Sequence, residues 1–153
     1  MSVRLARIGD AETIVAGNLG LAKETEGKEL RLETVRRGVR RLLEEPGLGF
    51  YLVAEHDGRV VGQLCVTFEW SDWRDGLFFW IQSVWVDADW RREGVYRQLH
   101  RRVTELARER GDVAGLRLYV MDDNGDARAT YEAVSMKETP YRVYEALLSG
   151  EEE

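Results

Sequence analysis

Residues 83–99 read SVWVDADWRREGVYRQL. The apolar start of this stretch predicts a strand that ends at Val86, and a helix is predicted from Gly94 to Arg110 after a short polar turn. A helix N-terminus has backbone N–H groups without intrahelical partners and the positive end of the helix dipole, and both attract phosphate oxygens. Gly94 lets a ligand approach the main chain closely, and Arg91 and Arg92 add positive charge. The stretch therefore predicts a phosphate-binding turn, although an ordinary helix start with exposed arginines explains the same residues.

The rest of the chain alternates between strand-like and helical patterns. Apolar alternation or continuous apolar runs predict strands at Val3–Ile8, Phe50–Glu55, Arg59–Trp70, Leu77–Val86, Leu116–Val120 and Tyr141–Leu147. Apolar residues at helical spacing predict helices at Asp10–Lys23, with Asp10 as its cap, and at Glu33–Leu43, Gly94–Arg110 and Asp126–Val134. The order β-α-α-β-β-β-α-β-α-β predicts an α/β fold, a central mixed sheet with helices on both faces.

Length and charge limit the class of protein. A chain of 153 residues fits one domain, which we expect to span residues 1–148, followed by an acidic tail at 149–153. The formal net charge of −6 makes the whole molecule a poor polyanion binder. The single cysteine, Cys65, excludes an intrachain disulfide, and no signal segment or membrane-length apolar run is visible. We therefore expect a cytoplasmic protein.

A second informative segment lies near the C-terminus. Residues 124–136 read NGDARATYEAVSM, and the apolar positions Ala127, Tyr131 and Val134 can share one side of a short helix. Taken alone, the segment favours Tyr131 as a packing residue of an amphipathic helix.

Together the two segments resemble the GNAT N-acetyltransferase superfamily. Arg91-Arg92-Glu93-Gly94-Val95-Tyr96 is similar to that family's Gln/Arg-x-x-Gly-x-Gly/Ala signature, with Tyr96 in place of the usual Gly or Ala. Residues 124–136 are similar to its late Asn-x-x-Ala-x-x-x-Tyr-x-x-x-Gly-Phe/Met pattern, with Ser135 in place of Gly. The motifs occur in the family's order, each after a predicted strand, and the predicted element order matches the family fold over nearly the whole chain.

The resemblance implies a site for acetyl-coenzyme A (acetyl-CoA). In the family, amides of the signature loop bind the pyrophosphate and the preceding strand offers main-chain groups to the pantetheine arm. It also implies that the strands Leu77–Val86 and Leu116–Val120 part at a bulge to form a slot for that arm. The expected cofactor-binding residues are Ser83, Val84, Trp85, Val86, Arg91, Arg92, Glu93, Gly94, Val95, Tyr96, Arg97, Asn124 and Tyr131.

Acetyl transfer from a thioester needs no nucleophilic side chain, but it needs a proton acceptor for the amine and stabilisation of the leaving thiolate. By resemblance, Tyr131 protonates the thiolate. Glu69, at the end of a predicted strand, is the first candidate base, directly or through water, ahead of Asp72 and Asp75. Gln82 lies where some family members have a catalytic carboxylate, and it would orient a water molecule or the substrate.

The acceptor is expected to be a primary amine of a small molecule or peptide. Glu24, Glu26 and Glu29 in the connection between the first two helices would attract a cationic amine, although a solvated connection explains them equally well. Trp70, Trp73 and Trp80 would line an acceptor pocket, or pack in the core. The sequence leaves the acceptor's identity and a homodimer open.

Two other functions fit parts of the sequence. The arginine-rich helix 91–110 is compatible with a nucleic-acid-binding module, but Glu93, Glu105 and Glu109 interrupt its positive charge. A catalytically inactive acyl-CoA sensor would keep the cofactor loop without turnover. A metal site is not expected, because His56 and His100 have no Cys or His partner at ligand spacing. We expect neither nucleic acid nor membrane as a partner.

Overall fold

A computed structural model describes residues 1–149 of the chain. Its strands are Ser2–Leu5 (β1), Gly49–His56 (β2), Arg59–Ser71 (β3), Gly76–Val86 (β4) and Val113–Arg117 (β5). Its α-helices are Ala11–Glu26 (α1), Leu32–Glu44 (α2), Val95–Arg110 (α3) and Gly125–Ala133 (α4). The predicted helices and the first five strands are therefore present in the predicted order, with ends that differ by a few residues.

The strands form one sheet in the order β1-β2-β3-β4-β5. Neighbours pair antiparallel except β4 and β5, which pair parallel, so the sheet is mixed as predicted. A tight hairpin joins β2 and β3, with His56 opposite Arg59. Its two turn residues, Asp57 and Gly58, both have positive φ, which is the requirement of a type I′ turn. Asp-Gly is a preferred residue pair for this turn, so the sequence itself favours the hairpin.

Helices cover both faces of the sheet. Gly62 and Gln63 are neighbours on β3, so they face opposite sides. A Cβ atom at Gly62 would meet Val95 of α3, whereas the Gln63 side chain lies against Gly17 of α1. The two faces are therefore covered by different helices, as the sequence predicted.

The core lies between these helices and the sheet. Ile14, Val15 and Val39, from α1 and α2, are buried in one cluster with Val53 and Tyr51 of β2. On the α3 side, Val95, Leu99 and Val103 are also buried, and their spacing of four residues places them on one face of the helix. Asp10 precedes α1 but makes no side-chain cap bond, because its carboxylate is bonded to Arg4 and to the Arg7 N–H.

β4 is irregular at the point where the cofactor slot was expected. Gln63 pairs with Trp85 and Cys65 with Gln82, so two residues of β4 oppose one residue of β3. One of the two, Ser83, has a φ of 51°, and the irregularity is a β-bulge. Pairing with β5 ends at Trp80 and Arg117, well before β4 itself ends. β5 itself also ends at Arg117, so the two strands do not pair along the whole of β4, and the slot between them stays a prediction.

The chain divides into two compact units, Met1–Tyr119 and a second one that begins at Val120. The second unit contains α4, whose first turn is capped because Asn124 Oδ1 accepts a hydrogen bond from the Ala127 N–H at 3.1 Å. Residues 134–149 have no regular secondary structure, so the strand predicted at Tyr141–Leu147 is wrong. A strand needs a neighbour to pair with, and the described part of this unit has no other strand. The single domain at 1–148 stays a prediction, and residues 150–153 of the expected tail lie outside the described residues.

Candidate functional site

The N-terminus of α3 is open and uncapped. Gly94 has a φ of 78° and Arg92 a φ of 66°, so the chain enters the helix through left-handed backbone. No side chain caps the helix, and its first turn contains no acidic residue. A Cβ atom added at Gly94 would have nothing within 4 Å. The amides of this turn therefore face open space with no competing side chain, an arrangement that fits the pyrophosphate of CoA.

Tyr96, the departure from the family signature, does not obstruct this turn. Its side chain is buried, only 7% exposed, and its hydroxyl lies 3.2 Å from His100 Nδ1. Burial lowers the pKa of His100, so this histidine is neutral at neutral pH. The bulky residue thus belongs to the α3 core, and the signature tolerates it because the ring packs inward.

The charged residues of the turn differ in their contacts. Arg91 donates from Nε to the Val86 carbonyl at 3.0 Å and from Nη2 to Glu24 Oε2 at 2.8 Å. Arg92, Glu93 and Arg97 are exposed. Arg91 is therefore the one anchored arginine of the predicted loop, and its anchor reaches across to α1.

The end of β4 has a free main-chain side toward β5. Ser83, Val84, Trp85 and Val86 are half-buried, and β5 pairs with none of them. The Val86 carbonyl is taken by Arg91, so the amides of a pantetheine arm would use the backbone groups of residues 83–85 on that side, since an unpaired strand edge presents alternating N–H and C=O groups. Residues 87–94, which include a short 3-10 helix at Ala88–Trp90, connect this strand end to α3.

Glu69 is held by two neighbours on the same face of the sheet. Its Oε2 accepts from Trp80 Nε1 at 2.8 Å and its Oε1 accepts from Arg117 Nη1 at 2.7 Å. The Arg117 guanidinium also lies 3.6 Å from the centroid of the Phe78 ring. The cluster lies where β4 and β5 stop pairing, so the candidate base is next to the opening of the slot.

Gln82 and Thr67 extend this polar row along the sheet. Gln82 Nε2 donates to Thr67 Oγ1 at 2.5 Å. Gln82 lies on the same face of the sheet as Trp80, since every second residue of a strand points to the same face. The sequence did not single out Thr67 or Arg117. A basic residue inside the apolar run of a predicted strand was the available signal for Arg117.

The other acceptor candidates are less closely grouped. Trp73 is 87% exposed in the loop between β3 and β4, and Asp72 and Asp75 are exposed beside it. Glu24 is paired with Arg91, and Glu26 lies 3.4 Å from Lys28 Nζ. Two of the three carboxylates expected to attract a cationic amine therefore already have basic partners within the chain.

Tyr131 lies on α4 in the second unit and is half-buried. Burial raises the pKa of its phenol above the ordinary value, so the hydroxyl is protonated at neutral pH. A protonated hydroxyl is the form that a general acid requires. Asn124, at the start of the same helix, uses its side-chain oxygen as the cap.

A cleft of about 570 Å³ lies on the first unit, apart from the α3 turn. Its lining includes Arg4, Asp10, Gln63 and Trp85. The polar groups there are bonded to protein: Arg4 to Asp10 and Glu55, and Gln63 to Asn18. This cleft therefore offers less to a ligand than the uncapped helix start, despite its size.

Metal and thiol chemistry find no support in the part of the chain that the structure describes. It contains no group of three or more His, Cys, Asp or Glu side chains that could hold a metal ion. Burial raises the pKa of the Cys65 thiol to about 12, so the thiol is un-ionised. None of the described helices is both long and apolar enough to cross a membrane.

Comparison with known proteins identifies the family and the fold. The acetyltransferase (GNAT) family model matches residues 20–135, and the chain belongs to that family. A possible acetyltransferase from Clostridium difficile 630 is 43% identical, with a TM-score of 0.90 over 96% of this chain and 97% of that one. A predicted acetyltransferase with acetyl-CoA from Clostridium acetobutylicum has the same fold at 16% identity, with a TM-score of 0.78 and 95% of each chain covered. An aminoglycoside acetyltransferase from an uncultured soil metagenomic sample, in complex with sisomicin, also has this fold. Its sequence identity is 14% and its TM-score 0.76, with 96% of each chain covered. No curated protein matches the sequence.

Family and fold together make the chain an acetyl-CoA-dependent N-acyltransferase. The resemblance read from residues 91–96 and 124–136 is thereby confirmed, as is the mixed sheet with helices on both faces.

Proposed function

We propose that the enzyme transfers an acetyl group from acetyl-CoA to a primary amine of a small molecule or peptide by direct attack. The observation that carries the proposal is the uncapped start of α3 at Gly94, which a short connection joins to a β4 end that β5 leaves unpaired. These two features provide donors for a pyrophosphate and an open strand edge for a pantetheine arm. Gly94 and the amides that follow it, with Arg91, Arg92 and Arg97 nearby, would hold the phosphates.

Acetyl-CoA, when bound, supplies the acetyl group as an activated thioester. The protein's own residues then have two proton tasks. One group accepts a proton from the amine as the C–N bond forms, and another gives a proton to the sulfur as the C–S bond breaks. The products are the N-acetylated amine and CoA with a free thiol, so atoms and charges balance.

Tyr131 is our candidate for the acid and Glu69 for the base. The raised pKa of Tyr131 supports the first role, because the phenol keeps its proton until the thiolate needs it. Glu69 is ion-paired with Arg117, and the Trp80 indole fixes the orientation of the carboxylate. Gln82, held by Thr67, would orient the amine or a bridging water molecule, since an amide cannot take up the proton.

The acceptor would approach over the face that carries Glu69, Trp80 and Gln82. Glu24 and Glu26, at the end of α1, would attract a cationic amine, and Trp73 would contribute an exposed aromatic surface. Since the sequence has a single cysteine and so no intrachain disulfide, we also propose a reducing, cytoplasmic location.

Two measurements test the proposal. Calorimetry should show binding of CoA to the purified protein, and a panel of primary amines with acetyl-CoA should release free thiol. Binding of CoA without turnover on any amine would favour a cofactor sensor. Absence of CoA binding would contradict the proposal.

The arginines of α3 do not favour a nucleic-acid interface. Arg102 is paired with Glu105 and Glu109, and Arg110 with Asp112. These pairs neutralise two of the five arginines of α3.

A further inference from the structure

Arg91 connects the expected cofactor turn to the acceptor side of the enzyme. Its guanidinium is bonded to Glu24, in the last turn of α1, and lies 4.9 Å from the centroid of the Trp85 ring. A third contact, from Nε to the Val86 carbonyl, fixes the base of the guanidinium to the end of β4. One side chain therefore contacts α1, β4 and the cofactor turn.

The C-terminal half of α1 is close enough to β4 for this contact because two glycines face Trp85. A Cβ atom at Gly17 or at Gly20 would come within 3.0 Å of the indole ring. Glu24, one helical turn beyond Gly20, then projects toward the end of β4. The Glu24–Arg91 pair is thus a consequence of how α1 is seated, rather than a chance surface contact.

Arg91 has donors for a second anion. A guanidinium has five N–H groups, and the bonds to Val86 and Glu24 use one from Nε and one from Nη2. A phosphate oxygen is a strong, charge-assisted acceptor for such a group. The Glu24 carboxylate, however, would lie next to the negatively charged phosphate, and the two anions repel each other.

We propose that Arg91 exchanges Glu24 for a phosphate oxygen of the cofactor, and that this exchange releases the Glu24 carboxylate for the cationic acceptor. The inference rests on the proposed function, since it requires the pyrophosphate to bind at the α3 turn. It assigns Glu24 two successive partners, Arg91 in the empty enzyme and an ammonium group in the loaded one. Cofactor would then bind before acceptor, and by linkage each ligand would increase the affinity for the other.

Calorimetry with CoA on Glu24→Gln tests the exchange. The substitution removes the competing carboxylate but leaves Arg91 anchored by Val86 and Trp85, so CoA should bind about two- to fivefold more tightly, the range of a half-exposed ion pair. Glu26→Gln is the matched control. Glu26 lies two residues after Glu24 and is paired with Lys28 instead of Arg91, so its substitution removes the same charge without touching Arg91. Equal or weaker CoA binding in Glu24→Gln than in Glu26→Gln would overturn the proposal.

Two further comparisons test whether the gain in CoA affinity depends on Arg91: one uses shortened forms of CoA, and the other uses a variant without Arg91. Dephospho-CoA keeps the pyrophosphate and should reproduce the gain, whereas S-acetylpantetheine lacks it and should bind both variants alike. In an Arg91→Gln background, Glu24→Gln should have no further effect on CoA affinity. A gain that persists without Arg91, or one that S-acetylpantetheine also shows, would contradict the exchange.

Release of the carboxylate has its own readout. Carbodiimide coupling of glycinamide, measured by mass spectrometry, reports on carboxylates that are free to react. Glu24 labelling should rise when CoA is added, while Glu26 labelling should not, and unchanged or reduced Glu24 labelling would overturn the release. Gly94→Asp separates this proposal from the proposed function. Full CoA affinity in Gly94→Asp would contradict the cofactor site itself. Lost affinity in Gly94→Asp, together with no change of CoA affinity in Glu24→Gln, would contradict only the exchange.

Discussion

Arg117 on β5 donates a 2.7 Å hydrogen bond to Glu69 on β3, so the ion pair crosses the intervening strand β4. The pair lies at the last register position where β4 and β5 are still joined, Trp80 opposite Arg117. It therefore connects the acceptor-side carboxylate to the point where the strands part. Its position makes Glu69 the residue whose substitution is most informative about proton removal.

We expect Glu69→Gln to lower kcat by about 10²-fold, because an amide cannot accept the amine proton. The acid limb of the kcat/KM profile should disappear with it if the carboxylate is the base. Asp72→Asn, a neighbouring exposed carboxylate, is the control and should be nearly silent. A Glu69→Gln enzyme with a normal pH profile would reduce Glu69 to a group that positions Trp80 and Arg117.

Gly94→Asp should weaken CoA binding by about tenfold or more, because a carboxylate at the helix start repels phosphate and occupies the open space above the turn. Gly94 has left-handed backbone, so any side chain there also adds strain. Gly94→Ala isolates that strain. Calorimetry on both variants should show the larger loss for Asp, and undiminished affinity in Gly94→Asp is the result that the cofactor assignment could not survive.

Tyr131→Phe should lower kcat and kcat/KM together by about 10²-fold with CoA affinity nearly intact, because the hydroxyl acts in the transition state. A packing tyrosine would instead lower the melting temperature and leave turnover unchanged. Measuring both quantities on the one variant distinguishes the roles. Single-turnover rates are needed for a mild effect, since product release can mask a slower chemical step.

Acid should destabilise the protein through Asp10. The hydrogen bonds from Arg4 lower the pKa of this carboxyl below its ordinary value, so folding favours its ionised form. This contribution is present at pH values above the unfolded pKa of about 3.9 and is lost as pH falls through the folded pKa. Asp10→Asn should therefore lower the free energy of unfolding by on the order of 1 kcal/mol at pH 7.

The deficit of Asp10→Asn should shrink toward zero as the pH is lowered below about 4, because both proteins then have an uncharged group there. Chemical denaturation across this pH range is the measurement, with Asp75→Asn, an exposed loop carboxylate, as the control. A deficit that is constant with pH would mean that Asp10 stabilises the fold by packing rather than by charge.

The parts of the fold that local rules determine were predictable from the sequence. Asp57-Gly58 predicts the hairpin turn by its backbone preference, and the inner face of α3 follows from helical spacing. The open turn at Gly94 was predictable because an apolar strand, a short polar connection, a glycine and a helical pattern follow one another in the sequence. In these cases the cause of the structure lies within a few residues of its effect.

Other features depend on contacts between residues far apart in the chain. The Glu69–Arg117 and Glu24–Arg91 pairs span 48 and 67 residues, and no local pattern encodes the registers that bring them together. Tyr141–Leu147 has the composition of a strand. A strand also needs a neighbouring strand to pair with, and the composition of the segment does not show whether one is present. Asp10 has the composition of a helix cap, but the better donor, Arg4, takes its carboxylate.

The bulge at Ser83 also bears on how the protein behaves before any ligand is bound. A flat strand edge without a partner is a template on which a second chain can pair, and it is a common start of aggregation. The left-handed residue at Ser83 twists β4 just where β5 leaves it, so the unpaired stretch is neither straight nor flat. We therefore expect the irregularity to disfavour the pairing of a second chain on this edge, so that a variant with a straightened β4 would aggregate more readily than the native chain.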